Sequence, residues 1–156
     1  MGQTLFEQYA KLLVLLHAAS AIVLVGSSTH HSLVALGYLR GRYKVRLGRI
    51  YATIVALAYG TTFLIGSLAY PTYRYFVRGL YLDRHAIWAS NLFDIKENFA
   101  TIGLPLAVGA FVLSRVMDPK EDRPMLPGYC LLVFGMTAIV WFNVIAGLLI
   151  TMAKGV

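Results

Sequence analysis

Four apolar stretches limit what this chain can become. They run over about residues 9–36, 50–70, 97–116 and 127–152, and each approaches or exceeds the length a helix needs to cross a hydrocarbon layer, about 20 residues. No water is available there to satisfy a free peptide group, so each stretch must close its own hydrogen bonds as a helix. Charged residues make up 13% of the chain, against about 25% in water-soluble domains, and the mean hydropathy is +0.67. The reading is an all-α integral membrane protein, one membrane domain over residues 1–156, folded as a four-helix up-down-up-down bundle.

The segments between the spans differ in kind. The first, GYLRGRYKVRLGR, holds Arg40, Arg42, Lys44, Arg46 and Arg49 and no acid. Span two is expected to stop at Pro71, and a long outer connection rich in Tyr, Arg and Trp then leads to span three. MDPKEDRPMLPG forms a short hairpin before span four. Cations favour the cytoplasmic side, which places residues 37–49 and the 117–126 hairpin inside and both termini and the 71–97 connection outside, in a bacterial inner membrane. The inner segments hold eight Lys and Arg with Arg115 counted, the rest of the chain six.

Several function classes drop out. The net charge of +7 sits between the spans, where it orients the chain and meets anionic head groups rather than nucleic acid. MGQTLFEQY lacks the basic stretch of a cleavable signal peptide, and Phe6 stands where myristoylation wants Ser or Thr. One cysteine, Cys130 in an apolar run, gives neither a disulfide nor a thiolate cluster. No nucleotide motif or Ser–His–Asp arrangement is present, and the two halves share no repeat that would suggest a transporter.

The histidines carry the chemistry. His17 stands near one end of span one, and His30 and His31 near the other. Ionisable groups inside hydrocarbon are costly and mark function by default. His17 and His31 lie 14 residues apart, roughly 21 Å along a helix and within roughly 40° of the same face. The stripe His17, Ala21, Leu24, Ser28, His31 resembles the one-helix half of a two-haem cytochrome b, which implies imidazole ligation of one or two haem b groups. Spans two to four contain no matching pair, so His85 from the outer connection, Met117, Met125 or a neighbouring chain would complete the ligation. Ser27, Ser28 and Thr29 can instead bond back to carbonyls one turn earlier, and His30 and His31 can be a solvated pair beside the basic loop.

The outer connection offers Arg74, Arg78 and Arg84 as clamps for haem propionates. Its tyrosines and Trp88 equally suit an interfacial belt. Asp94, Lys96 and Glu97 read as the capped first turn of span three, or as a carboxylate that takes protons from a quinol, and Asn143 as packing glue. The expectation is a small b-type cytochrome-like or quinone-interacting subunit. It would pass electrons within a respiratory or photosynthetic complex, among other subunits and toward an extracytoplasmic partner. The alternative is a cofactor-free structural subunit of such a complex.

Overall fold

The computed structural model describes residues 6–154. Residues 1–5, where neither a signal peptide nor a myristoylation motif is expected, lie outside that range. The described chain is all-helical, and four of its helices are long and apolar enough to cross a membrane. They are α1 (Ala10–Leu39), α2 (Val45–Thr72), α3 (Ile87–Val116) and α4 (Leu126–Ala153).

Helix α1 ends in a glycine-dependent motif. Gly41 takes φ +75°, its N–H donates to the Tyr38 carbonyl at 3.0 Å, and the Arg42 N–H donates to the Gly37 carbonyl at 2.8 Å. A side chain at 41 would be strained in that left-handed conformation, and the paired bonds satisfy carbonyls that the helix end leaves open. At the start of α4, Pro127 sits in the first turn, where its missing N–H costs nothing.

Pro71 does not end the second helix, contrary to the sequence expectation. It occupies the last turn of α2, and the chain continues without interruption through π-helical turns over Tyr73–Leu82 and a final turn over Asp83–His85. Proline removes one donor and crowds the preceding turn, yet the helix runs on and widens into π-helical turns from Tyr73. The long outer connection is therefore not a loop. The helix breaks at Ala86 alone before α3 begins at Ile87, ten residues ahead of the expected start at Glu97.

The helices form a ring. Helix α1 packs on α2 and α4, and α3 packs on the same two. The core comes in three clusters along the bundle. One, around Tyr38, Met117, Tyr129 and Val133, sits beside the first loop and the hairpin. A middle one holds Leu24, Val55, Tyr59, Ala107, Met136 and Val140. The third joins Val77 and Leu82 of the π-helical extension to Ala89, Phe93 and Ile150. Close approach is built in at Gly103, where the Tyr59 ring fills the place of a Cβ and its hydroxyl donates to the Ala100 carbonyl at 3.0 Å.

The outer surface is apolar as well. Ile22 is 74% exposed, Leu57 68%, Val116 69% and Leu131 72%, one from each helix. A water-soluble bundle would put polar residues there, whereas helices apolar on both faces suit a hydrocarbon surrounding.

Candidate functional site

Between the middle and the third core clusters lies a layer of polar side chains drawn from all four helices. Helix α1 contributes His17, α2 Thr62, α3 Lys96 and α4 Asn143. The His17 Nδ1–H donates to the Thr62 carbonyl at 3.0 Å. A carbonyl only accepts, so this bond fixes the tautomer and leaves the Nε2 lone pair of the neutral ring unused. Gly66, one turn along α2, makes room for the imidazole: a Cβ there would stand 3.0 Å from Cε1 and 3.1 Å from Nδ1.

Lys96 is the electrostatic neighbour of His17. Its amine lies over the Phe93 ring, 6.0 Å from the centroid, and its Cε runs past Gly147, 3.6 Å from where a Cβ would be. It forms no ion pair within 4 Å among the described residues, where Arg78 makes the only ones, and the adjacent Glu97 is its electrostatic counterpart. Thr62 Oγ1 and Asn143 Oδ1 are buried without a hydrogen-bond partner. Unpartnered buried polar atoms are uncommon, and these two lie on helices α2 and α4. His17 is half-buried, with the small, exposed Ala18 and Ala19 beside it.

Beyond this layer the bundle is knit by charge. Arg78 grips Asp94 with two parallel bonds of 2.6 and 2.7 Å and reaches Asp83 at 3.8 Å. Arg74 donates to the Tyr70 hydroxyl at 2.7 Å, and Tyr70 in turn is a hydrogen-bond partner of Glu97. Arg78, expected as a clamp for an external carboxylate, is thus occupied by one from its own chain. Asp94, Lys96 and Glu97 are not first-turn residues either, because α3 has already made about two turns before them.

The histidines do not converge. His85 donates from Nδ1 to the Tyr81 carbonyl at 3.1 Å and stacks on the Tyr81 ring. It is 19 residues along a continuous helix from Gly66, where His17 lies, on the order of 25 Å away. The fold-back that a His17–His85 clamp would need does not occur, because the connection is helical. His30 is exposed, bonded to the Gly26 carbonyl at 2.7 Å and stacked on Tyr51. His31 faces the opposite way and is wholly buried; its Nε2 shares a 2.7 Å hydrogen bond with the Tyr129 hydroxyl, and its Nδ1 has no partner. Met117 is buried in the first core cluster, while Met125 is 44% exposed.

The polar patch of α1 behaves as back-bonding hydroxyls should. Ser27 donates to the Val23 carbonyl at 2.8 Å and Thr29 to the Val25 carbonyl at 2.7 Å. It also stitches α1 to α4: Ser32 donates to Thr137 at 2.8 Å, and Trp141 donates to Thr29 at 3.1 Å. Thr137 and Trp141 thus supply the packing glue expected of Asn143, whose amide oxygen stays free.

Sequence reasoning gave Lys96 and Asn143 no functional part. Their type alone was a signal, since a lysine and an amide at matching depths on two apolar helices are costly unless something uses them. Comparison with family models, curated proteins and solved structures finds no match to this chain.

Proposed function

We propose that this chain is an integral membrane subunit, an up-down-up-down four-helix bundle that holds a quinone head group in the His17–Lys96 layer. It would serve electron transfer within a respiratory or photosynthetic complex. One observation carries the reading: the Thr62 carbonyl holds His17 with its Nε2 lone pair unused, with Lys96 as its electrostatic neighbour. A quinol offers a hydroxyl proton, and the lone pair accepts it; the ammonium meets the opposite, more negative oxygen. On oxidation two electrons leave for a redox centre on another subunit, one proton passes to the His17 Nε2 and the second to water at the outer face. Ala18 and Ala19 provide lateral entry from the lipid.

A quinone suits this layer better than haem b. A haem held on His17 by two imidazoles needs another histidine close by, and His30 and His31 lie 13 and 14 residues away along α1 while His85 is 19 residues along its helix from Gly66, each on the order of 20 Å or more away. The up-down order is supported by contacts that run in opposite directions between neighbours: Thr29 meets Trp141 and Ala35 meets Cys130, while Tyr59 meets Ala100 and Arg49 meets Ser114. With the basic first loop in the cytoplasm, the layer belongs to the outer half of an inner membrane.

The test is photolabelling with an azidoquinone in isolated membranes, together with a reduced-minus-oxidised spectrum. Labelling of peptides carrying Ala18 or Lys96, reduced about tenfold or more by Lys96→Met and by His17→Leu, is the expected result, on the scale of one lost charge-assisted hydrogen bond. A b-type α-band lost in His17→Ala would replace the quinone with haem. Neither label nor band in the intact complex would leave a cofactor-free structural subunit.

A further inference from the structure

The opposite end of the bundle carries a second feature, a cleft of about 600 Å³ between α2 and α3. Its lining includes Arg46, Arg49 and Arg115 with Thr53, Ile50 and Ile54. Two of the guanidinium groups are held in place. Arg49 donates from Nε to the Ser114 carbonyl at 3.1 Å, and Arg115 donates to the Thr53 hydroxyl at 2.5 Å while lying over the Phe111 ring. None of the three forms an ion pair among the described residues. The acids of the neighbouring hairpin are engaged locally: Asp122 accepts from the Asp118 N–H and Asp118 from the Lys120 N–H. Three cations from two helices thus face one cleft without an ion pair of their own among the described residues, the arrangement that recognises a phosphate.

The wall of the cleft says which phosphate. Ile50 and Ile54 are 45% and 38% exposed, and the strip continues along α2 to Leu57. On α3, Val112 and Val108 stand one and two turns from Arg115 and are each 48% exposed. A free phosphate has no use for two apolar strips leading away from its binding groups; a diacyl phospholipid does. We infer that the Arg46–Arg49–Arg115 cleft is a binding site for the head group of an anionic phospholipid, with its acyl chains lying along the α2 and α3 strips. This rests on the membrane reading above, and basic pockets between helices on the cytoplasmic side are where such lipids settle.

The experiment is native mass spectrometry of the full chain, delipidated in detergent and titrated with phosphatidylglycerol, with phosphatidylcholine of the same acyl chains, and with inorganic phosphate. Phosphatidylglycerol is expected to bind in preference. Arg46→Gln with Arg115→Gln should weaken it about 30-fold, about fivefold for each cation removed. The charge-matched pair Lys120→Gln with Arg123→Gln should leave it unchanged. If the first pair does not fold, the exposed Arg46→Gln alone should give the fivefold loss. Equal binding of both lipids, displacement of phosphatidylglycerol by millimolar phosphate, or an equal loss in the control pair would overturn the proposal. Extraction of membranes with alkaline carbonate separates the two readings. A chain that washes off loses both, and one that stays but does not discriminate between lipids loses only this site.

Discussion

The Cε1–Nδ1 edge of the His17 imidazole lies against the backbone of Gly66, within 3.0–3.1 Å of where a Cβ would stand. That contact and the bond to the Thr62 carbonyl together hold the ring from two positions on one face of α2. Gly66→Ala should push the imidazole off its carbonyl without removing it. Overpacking of this size costs about 1–3 kcal/mol. Azidoquinone labelling should fall several-fold while His17 is still present, and adding His17→Leu should cause little further loss. Full labelling in Gly66→Ala would show that ring position is immaterial.

The Tyr59 ring occupies the place of a side chain at Gly103. Gly103→Ala is therefore expected to lower the unfolding midpoint in detergent, by about 1–3 kcal/mol in stability. A Cβ at Gly26 or Gly60 would meet nothing within 4 Å, so Ala at either should be neutral or slightly stabilising. Equal effects at all three positions would contradict this packing.

His31 and Tyr129 form a buried pair across α1 and α4. Tyr129→Phe leaves the imidazole with both nitrogens unpartnered, because Nδ1 already lacks a partner. The expected loss is about 1–3 kcal/mol. His31→Leu with Tyr129→Phe removes both polar groups and should recover part of that loss. A double-mutant cycle by denaturant titration decides it: additive losses would mean the pair is not coupled.

Arg78 ties the π-helical extension to α3 through its two bonds with Asp94. Arg78→Lys keeps the charge and loses the planar fork. Both partners retain some exposure, so the loss should be about 1 kcal/mol. It should appear as faster amide exchange over residues 73–85, with the rest of α2 unaffected. Asp94→Asn should act on the same amides, and the two changes together should not add.

Span number was legible because apolar length is a local property, and the four stretches read from sequence fall on the four long helices to within one residue. Their ends were not. Pro71 reads as a stop, yet one missing donor does not end the helix, which continues through Tyr73–Leu82. Once 73–85 is helical, Arg78 and Asp94 come to face each other across the break, a pairing that a loop would not suggest. The cost of a histidine at position 17 in an apolar helix was legible. Its neighbours were not, because Thr62, Gly66 and Lys96 meet it only through packing between distant segments. That Arg78 bonds Asp94 of its own chain was not legible for the same reason.

The break at Ala86 has a practical side. A single residue joins the 41-residue helix Val45–His85 to the 30-residue helix Ile87–Val116, so this turn has no slack to yield. A tag or reporter spliced there would have to unwind structure on one side or the other, and a protease would find little extended chain to seize. The non-helical residues just after Met117, ahead of the short turn at Arg123–Met125, are the better place to cut, label or graft.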